Sequence, residues 1–269
     1  MDYGKLLEGM KRFGSIEWDI CEHGLRVAPD CIQDNVVIAP WWEPSALPGL
    51  GEVDRLSPPD HTAGVWNIKN DTSEITYIKT GIGAPLFLER LLPLGVTKCK
   101  RVIFIGSAGS LDPGIRIGDI VIPEYSVCGD GASRYLASDD LTHDVFGEKA
   151  YPDYGMFNTA VAETTRICIE NHVNWHIGKT FSIDTVTAQF AHIDTIVSLG
   201  CNVIEMETAA AFRAAKLMGI PLIALFSVSD NTVMNKSLVS GRTAEEMEYR
   251  RFTRREIFPK IIQSVFSRC

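Results

Sequence analysis

Residues 201–232 read CNVIEMETAAAFRAAKLMGIPLIALFSVSDNT. The apolar run at residues 222–226 (LIALF) suits a buried strand, and the small and long apolar residues at 208–218 suit a helix that Gly219 would end. Three carboxylates, Glu205, Glu207 and Asp230, sit beside these apolar segments. Burying a carboxylate costs several kcal/mol unless it is paired or hydrogen-bonded, so their placement calls for a chemical reason.

The same alternation extends along the chain. Residues 35–39 (NVVIA), 74–80 (EITYIKT), 101–105 (RVIFI) and 119–122 (DIVI) read as further short strands. Several are continuous apolar runs, which suits a sheet covered on both faces. Helical segments are expected over 84–94, 157–171, roughly 187–199, and 208–218. Thr243 and Glu246 have capping-box spacing at the head of a last helical segment, where Pro259 predicts a kink. The reading is one α/β domain over residues 1–269, with a loop-rich insertion near 40–73.

Composition removes several classes. The net charge of −8 disfavours non-specific binding to nucleic acid or to an anionic membrane. Arg250, Arg251, Arg254 and Arg255 therefore read as a solvated helix face. No stretch reaches the 18 apolar residues of a membrane span, and the N-terminus lacks a signal-peptide run. Seven scattered cysteines without a CxxC pair point to a reducing cytoplasm, with neither a disulfide framework nor a metal site. His172 and His176 are four apart but lack the HExxH context of a zinc site. No organic or redox cofactor is implied.

If residues 203–207 are extended, Glu205 and Glu207 share one face, at a strand end and beside a helix N-terminus. Two such acids match the two hydroxyls of a vicinal diol. Asp230, after ALFSVS, is placed to give a proton to a leaving-group nitrogen if burial raises its pKa. GSAGS at 106–110 reads as a strand exit whose Gly106 lets backbone approach a ligand and whose Ser107 adds a hydroxyl. Gly81 and Gly83 form a second such exit. Neither GxGxxG nor a P-loop pattern is present, which argues against a dinucleotide-binding oxidoreductase.

Taken in order, TGIG at 80–83, VIFIGSAGSLDPGIRIGDIVIP at 102–123, VIEMETAAAFRAAKLMGIPLI at 203–223 and SVSD at 227–230 resemble the nucleoside phosphorylase and nucleosidase superfamily. That group holds the purine and uridine phosphorylases and the methylthioadenosine/S-adenosylhomocysteine nucleosidases. The resemblance implies a three-layer α/β/α sandwich around a twisted mixed sheet, assembled as a homo-oligomer (dimer or hexamer). It implies that Glu207 binds the ribose hydroxyls, that Met206 packs on the sugar with Glu205 in the same wall, and that Asp230 assists departure of a purine. His23, in EHGL, matches a histidine that reaches a neighbouring subunit's site.

The chain departs from the phosphorylase pattern where phosphate would bind. Against GDPxR it has Trp42, Glu43, Pro44, Ser45 and Ala46, and Phe104 stands where a second arginine is usual. Losing two guanidinium forks removes the strongest bonds to phosphate. Hydrolysis is therefore the expectation, with Glu43 near the nucleosidases' water-activating glutamate. Phosphorolysis, with phosphate as co-substrate and another arginine such as Arg116 or Arg134 folded in, is the alternative; a non-catalytic nucleoside-binding protein is a third. Val186 replaces the usual base-stacking phenylalanine, leaving Phe181, Trp41 or Trp42 to stack on the base.

Overall fold

The structure, a computed structural model, describes residues 1–71 and 73–269; Thr72, inside the expected insertion, lies outside the described residues. Its strands are β1 (Asn35–Ala39), β2 (Glu52–Arg55), β3 (Gly64–Lys69), β4 (Glu74–Lys79) and β5 (Arg101–Ser110). They continue with β6 (Ile120–Gly129), β7 (Lys149–Ala150), β8 (Trp175–Ile183), β9 (Val203–Glu205) and β10 (Leu222–Asn231). All belong to one mixed sheet in the order β10-β6-β8-β9-β5-β1-β4-β3-β2, with β7 on β6. Because β10 also pairs with β5, strands β5, β10, β6, β8 and β9 close into a ring, and β1, β4, β3 and β2 extend from it.

The period-two rule assigns the two faces. Val36, Ile38, Val102, Phe104, Leu222, Ala224 and Phe226 pack against the helices Ala84–Leu91 and Thr208–Met218. Their neighbours Val37, Ala39, Ile103, Ile105, Ile223 and Leu225 pack against the helices Tyr154–Asn171 and Phe258–Arg268. Both faces are apolar because both are covered, the α/β layering expected from the sequence. Phe104 sits between Phe87 and Phe226, with ring centroids 4.6 and 5.0 Å away. Burying a side chain of this size stabilises the fold by about 1.5–3 kcal/mol.

Closure of the ring needs local bending, and bulges supply it. The register between β10 and β5 shifts between Val228 and Asp230; that between β6 and β8 shifts between Pro123 and Tyr125. Three segments differ from the sequence reading. GSAGS is not a loop but the second half of β5, paired with β10 as far as Ser110 and Asn231. The helix expected over 187–199 is two short ones, Val186–Gln189 and Ile193–Ser198. Within the loop-rich insertion, β2 and β3 form an antiparallel pair at the sheet edge.

The last helical segment starts as the capping box predicts: Thr243 Oγ1 accepts from the Glu246 amide at 3.1 Å, and Glu246 Oε2 accepts from the Thr243 amide at 2.9 Å. Ala244–Phe252 is α-helical, Thr253–Ile257 widens into a π-turn, and Phe258–Arg268 resumes the α-helix. Pro259 has no N–H to give to the preceding turn, so the irregularity falls where the ladder is already short of a donor.

Candidate active site

A cavity of about 420 Å³ opens where the C-terminal halves of β5 and β10 meet β9. This is within the range of roughly 300–1,000 Å³ typical of small-molecule sites. Its walls bring together Gly106 and Ser107 from β5, Glu205, Met206 and Glu207 around β9, Asp230 from β10, and Val186.

Glu205 and Glu207 do not share a strand face. β9 stops at Glu205, and Glu207 has left the strand to cap the helix Thr208–Met218. Glu205 is spent on its own chain: Oε1 accepts from Ser182 Oγ at 2.5 Å, and Oε2 accepts from the amides of Glu207 and Thr208 at 2.6 and 2.7 Å. It thereby satisfies two open N–H groups at the helix start and fixes the backbone that aims Glu207. Glu207 Oε1 accepts from the Gly83 amide at 2.6 Å. Burial, then repulsion from Glu205, pushes its pKa up to about 8. Gly83 holds φ at +98°, a conformation that favours glycine, and so presents that amide. Gly81, also at positive φ, bonds through its amide to the Pro40 carbonyl and shapes the same loop without lining the cavity.

The bulge in β10 explains Asp230. It puts Ser229 and Asp230, consecutive residues, on the cavity wall together. Ser229 Oγ donates to Asp230 Oδ1 at 2.5 Å, and burial raises the pKa of the carboxyl. Opposite stands Gly109, where an added Cβ would lie 3.0 Å from Asp230 Oδ2 and 3.1 Å from Ile204. The glycines of GSAGS thus make room for side chains from other strands; their amides belong to the ladder and not to an anion nest.

The cationic wall comes from where the sequence reading placed a solvated face. Arg250 lines the cavity and its Nη2 donates to Ser107 Oγ at 2.8 Å. Burial first, then Arg242 and Arg254, lowers its pKa to about 10, so it remains charged near neutrality. Arg242 also lines the cavity and donates through Nε to the Ser229 carbonyl. Arg116 and Arg134 are not among the lining residues; Arg134 lies 3.7 Å from Asp144. The sequence reading took Arg250 for part of a solvated face because of the negative net charge, and the π-turn after it defeats straight-helix counting.

Besides Gly81 and Gly83, which shape the loop without lining the cavity, three expected site residues lie elsewhere. Glu43 does not line the cavity; its half-exposed carboxylate bonds Lys79 Nζ at 2.9 Å. Phe181 does not line the cavity; it is buried in a separate apolar cluster with Val127 and Ile204, edge-on to Phe146 at 6.2 Å. His23 is exposed on the helix Glu17–Leu25 and does not reach its own chain's cavity. Trp41 and Trp42 both line the cavity: Trp41 is 69% exposed at its mouth, and Trp42 is buried against Phe258.

A sequence model of the phosphorylase superfamily matches residues 62–253. The chain belongs to that superfamily. It is 26% identical over 172 residues to a DeoD-type purine nucleoside phosphorylase of Aliivibrio salmonicida, covering 62% of this chain and 67% of that one. A guanosine phosphorylase of Halorubrum lacusprofundi is 27% identical over 173 residues, covering 63% and 66%. The structure superposes on uridine phosphorylase from Vibrio fischeri ES114 with a TM-score of 0.71 at 20% identity, covering 92% of this chain and 96% of that one. This superfamily member therefore shares the phosphorylase fold over nearly its whole length. Among its described residues no helix is long and apolar enough to cross a membrane.

Proposed function

We propose that this protein cleaves the N-glycosidic bond of a purine nucleoside by phosphorolysis, giving free base and a pentose 1-phosphate. The observation that carries the reading is the partly buried Arg250 guanidinium bonded to Ser107 Oγ, on a cavity whose other wall holds Glu207. A partly buried cation paired with a hydroxyl suits an anionic nucleophile, since charge-assisted bonds are about twice as strong as neutral ones. The similar purine nucleoside and guanosine phosphorylases support the same choice.

In this reading Glu207 accepts hydrogen bonds from the sugar hydroxyls while Met206 packs on the ring. A phosphate oxygen held by Arg250 and Ser107 forms the new bond to the anomeric carbon as the bond to the base nitrogen breaks. The bonding electron pair leaves with the base, and Asp230, whose pKa burial raises, delivers a proton to the purine N7. Trp41, exposed at the mouth, is available to stack on the base. His23, exposed and outside its own cavity, is assigned to a neighbouring subunit's site in a homo-oligomer. Free thiols with no disulfide among the described residues suit a cytoplasmic protein.

Hydrolysis remains the second reading on one specific observation: apolar Phe104, buried between two phenylalanines, stands where the resemblance places a phosphate arginine. Its water-activating base is missing, however, because Glu43 is held by Lys79 away from the cavity. The test is base release from a panel of purine and pyrimidine nucleosides, with and without phosphate. Phosphate-dependent release of purines supports the proposal. Tight nucleoside binding without base release, or release that ignores phosphate, overturns it.

A further inference from the structure

Arg250 is only as useful as the helix that carries it, and that helix touches the rest of the molecule through a small polar junction next to the arginine. The Tyr249 hydroxyl donates to Asp119 Oδ1 at 3.3 Å and accepts from the Asn174 amide at 3.1 Å. Asp119 is fully buried, and its Oδ2 is held by His176 Nε2 at 2.8 Å and by the Arg116 amide at 3.0 Å. Gly118, at φ +92°, lets the helix sit close: an added Cβ would lie 2.5 Å from Tyr249 Cδ1 and 3.0 Å from the Arg250 nitrogen.

The same loop is tied to β10. The Gly118 amide donates to the Val228 carbonyl at 2.9 Å, and the Val228 amide donates to the Asp119 carbonyl at 2.9 Å. Val228 lies immediately before the bulge that turns Ser229 and Asp230 into the cavity. One loop, residues 116–119, therefore bonds both the strand that aims Asp230 and the residue preceding Arg250. A hydrogen bond from a neutral hydroxyl to a buried carboxylate is directional, which suits it to fixing a register.

We infer that Tyr249, through its hydroxyl bond to Asp119, is a positioning residue that holds Arg250 in register with Ser107 and Asp230. The inference rests on the proposal that Arg250 serves the reaction. It assigns Tyr249 no contact with substrate. Tyr249→Phe keeps the ring that packs on Gly118 and removes only the hydroxyl.

The test is a double-mutant cycle between Tyr249→Phe and Arg250→Ala, read as base release with phosphate and nucleoside varied separately. Tyr249→Phe is expected to lower kcat/KM for phosphate roughly tenfold, the scale of one bond to a charged group, and to leave the nucleoside KM within about twofold. In the Arg250→Ala background it is expected to have no further effect, since coupled residues fail additivity. Asp119→Asn should show the same dependence on Arg250, which covers the case of a Tyr249→Phe protein that folds poorly. Equal fold-losses in both backgrounds, or a Tyr249→Phe enzyme indistinguishable from wild type, would overturn the inference. A wild-type rate that ignores phosphate would overturn the phosphorolysis reading alone, because the cycle can still be read in kcat/KM for the nucleoside.

Discussion

Arg250, 143 residues distant from Ser107 in sequence, donates to its hydroxyl at 2.8 Å across the cavity. That bond holds a partly buried cation on the cavity wall where the chain lacks the arginines that the resemblance would place at Phe104 and Ala46. Removing it should hurt phosphate use before nucleoside binding. Arg250→Ala is expected to lower kcat/KM for phosphate about 10²-fold, the scale of losing one preorganised donor, with the nucleoside KM changed far less. Steady-state kinetics with each substrate varied separately checks this.

Asp230 should act on the leaving base. Asp230→Asn is expected to slow base release about 10²–10⁴-fold, the usual worth of a general acid, with substrate affinity nearly retained. Burial raises the carboxyl's pKa, so the protonated form survives above the usual aspartate range. Activity through this group is therefore full at pH below its folded pKa and declines as pH rises through it. The pH profile of kcat for wild type should show that decline, and the asparagine variant should lack it.

Glu207 links the site to stability. Its pKa stands near 8 in the folded chain against 4.5 for a free side chain, so the folded state binds more protons between those values. Stability from this group is full below about pH 4.5 and is lost as pH rises through 8. Glu207→Gln removes that term. Melting temperatures from pH 5 to 9 should fall more steeply for wild type than for the variant, each 1 kcal/mol appearing as about 2–4 °C.

Glu43→Gln should leave cleavage within about twofold of wild type, because its carboxylate faces Lys79 and not the cavity. A loss of tenfold or more in kcat would return Glu43 to the chemistry.

Gly109→Ala tests the close approach of β5 to Asp230. The new methyl would meet Oδ2 at 3.0 Å and Ile204 at 3.1 Å, so the carboxyl must shift. Activity should fall about tenfold or more, since small misplacements of a reacting group are costly, while the folded protein retains its secondary structure by circular dichroism.

The sequence revealed the layers because continuous apolar strands and period-two burial report local environment directly. Val36 to Ala39 alternate between two cores, and Gly219 ends its helix at φ 69°, as composition alone implies. Glu207 and Asp230 were legible as acids in apolar surroundings, and both lie on the cavity wall. What local pattern cannot encode is which distant segment folds over a site. Arg250 was read as solvated because the chain is net acidic, and its seat beside Gly118 places it on the cavity wall. Glu205 and Glu207 were given equal access by strand periodicity; the strand ends at Glu205, whose carboxylate is taken up by the amides of Glu207 and Thr208, and Glu207 is left to face the cavity. Phe181 was offered as a substitute for the phenylalanine that Val186 replaces, and Glu43 for its nearness to the nucleosidases' glutamate; packing into the apolar cluster beside Phe146 and the Lys79 ion pair keep them from the cavity.

The central claim is the identity of the nucleophile. Phosphorus NMR of a single-turnover mixture of enzyme, purine nucleoside and inorganic phosphate decides it. The account predicts a sugar 1-phosphate resonance that grows in step with free base, and no base release when phosphate is omitted. Free base and free sugar formed at the same rate with and without phosphate would contradict it.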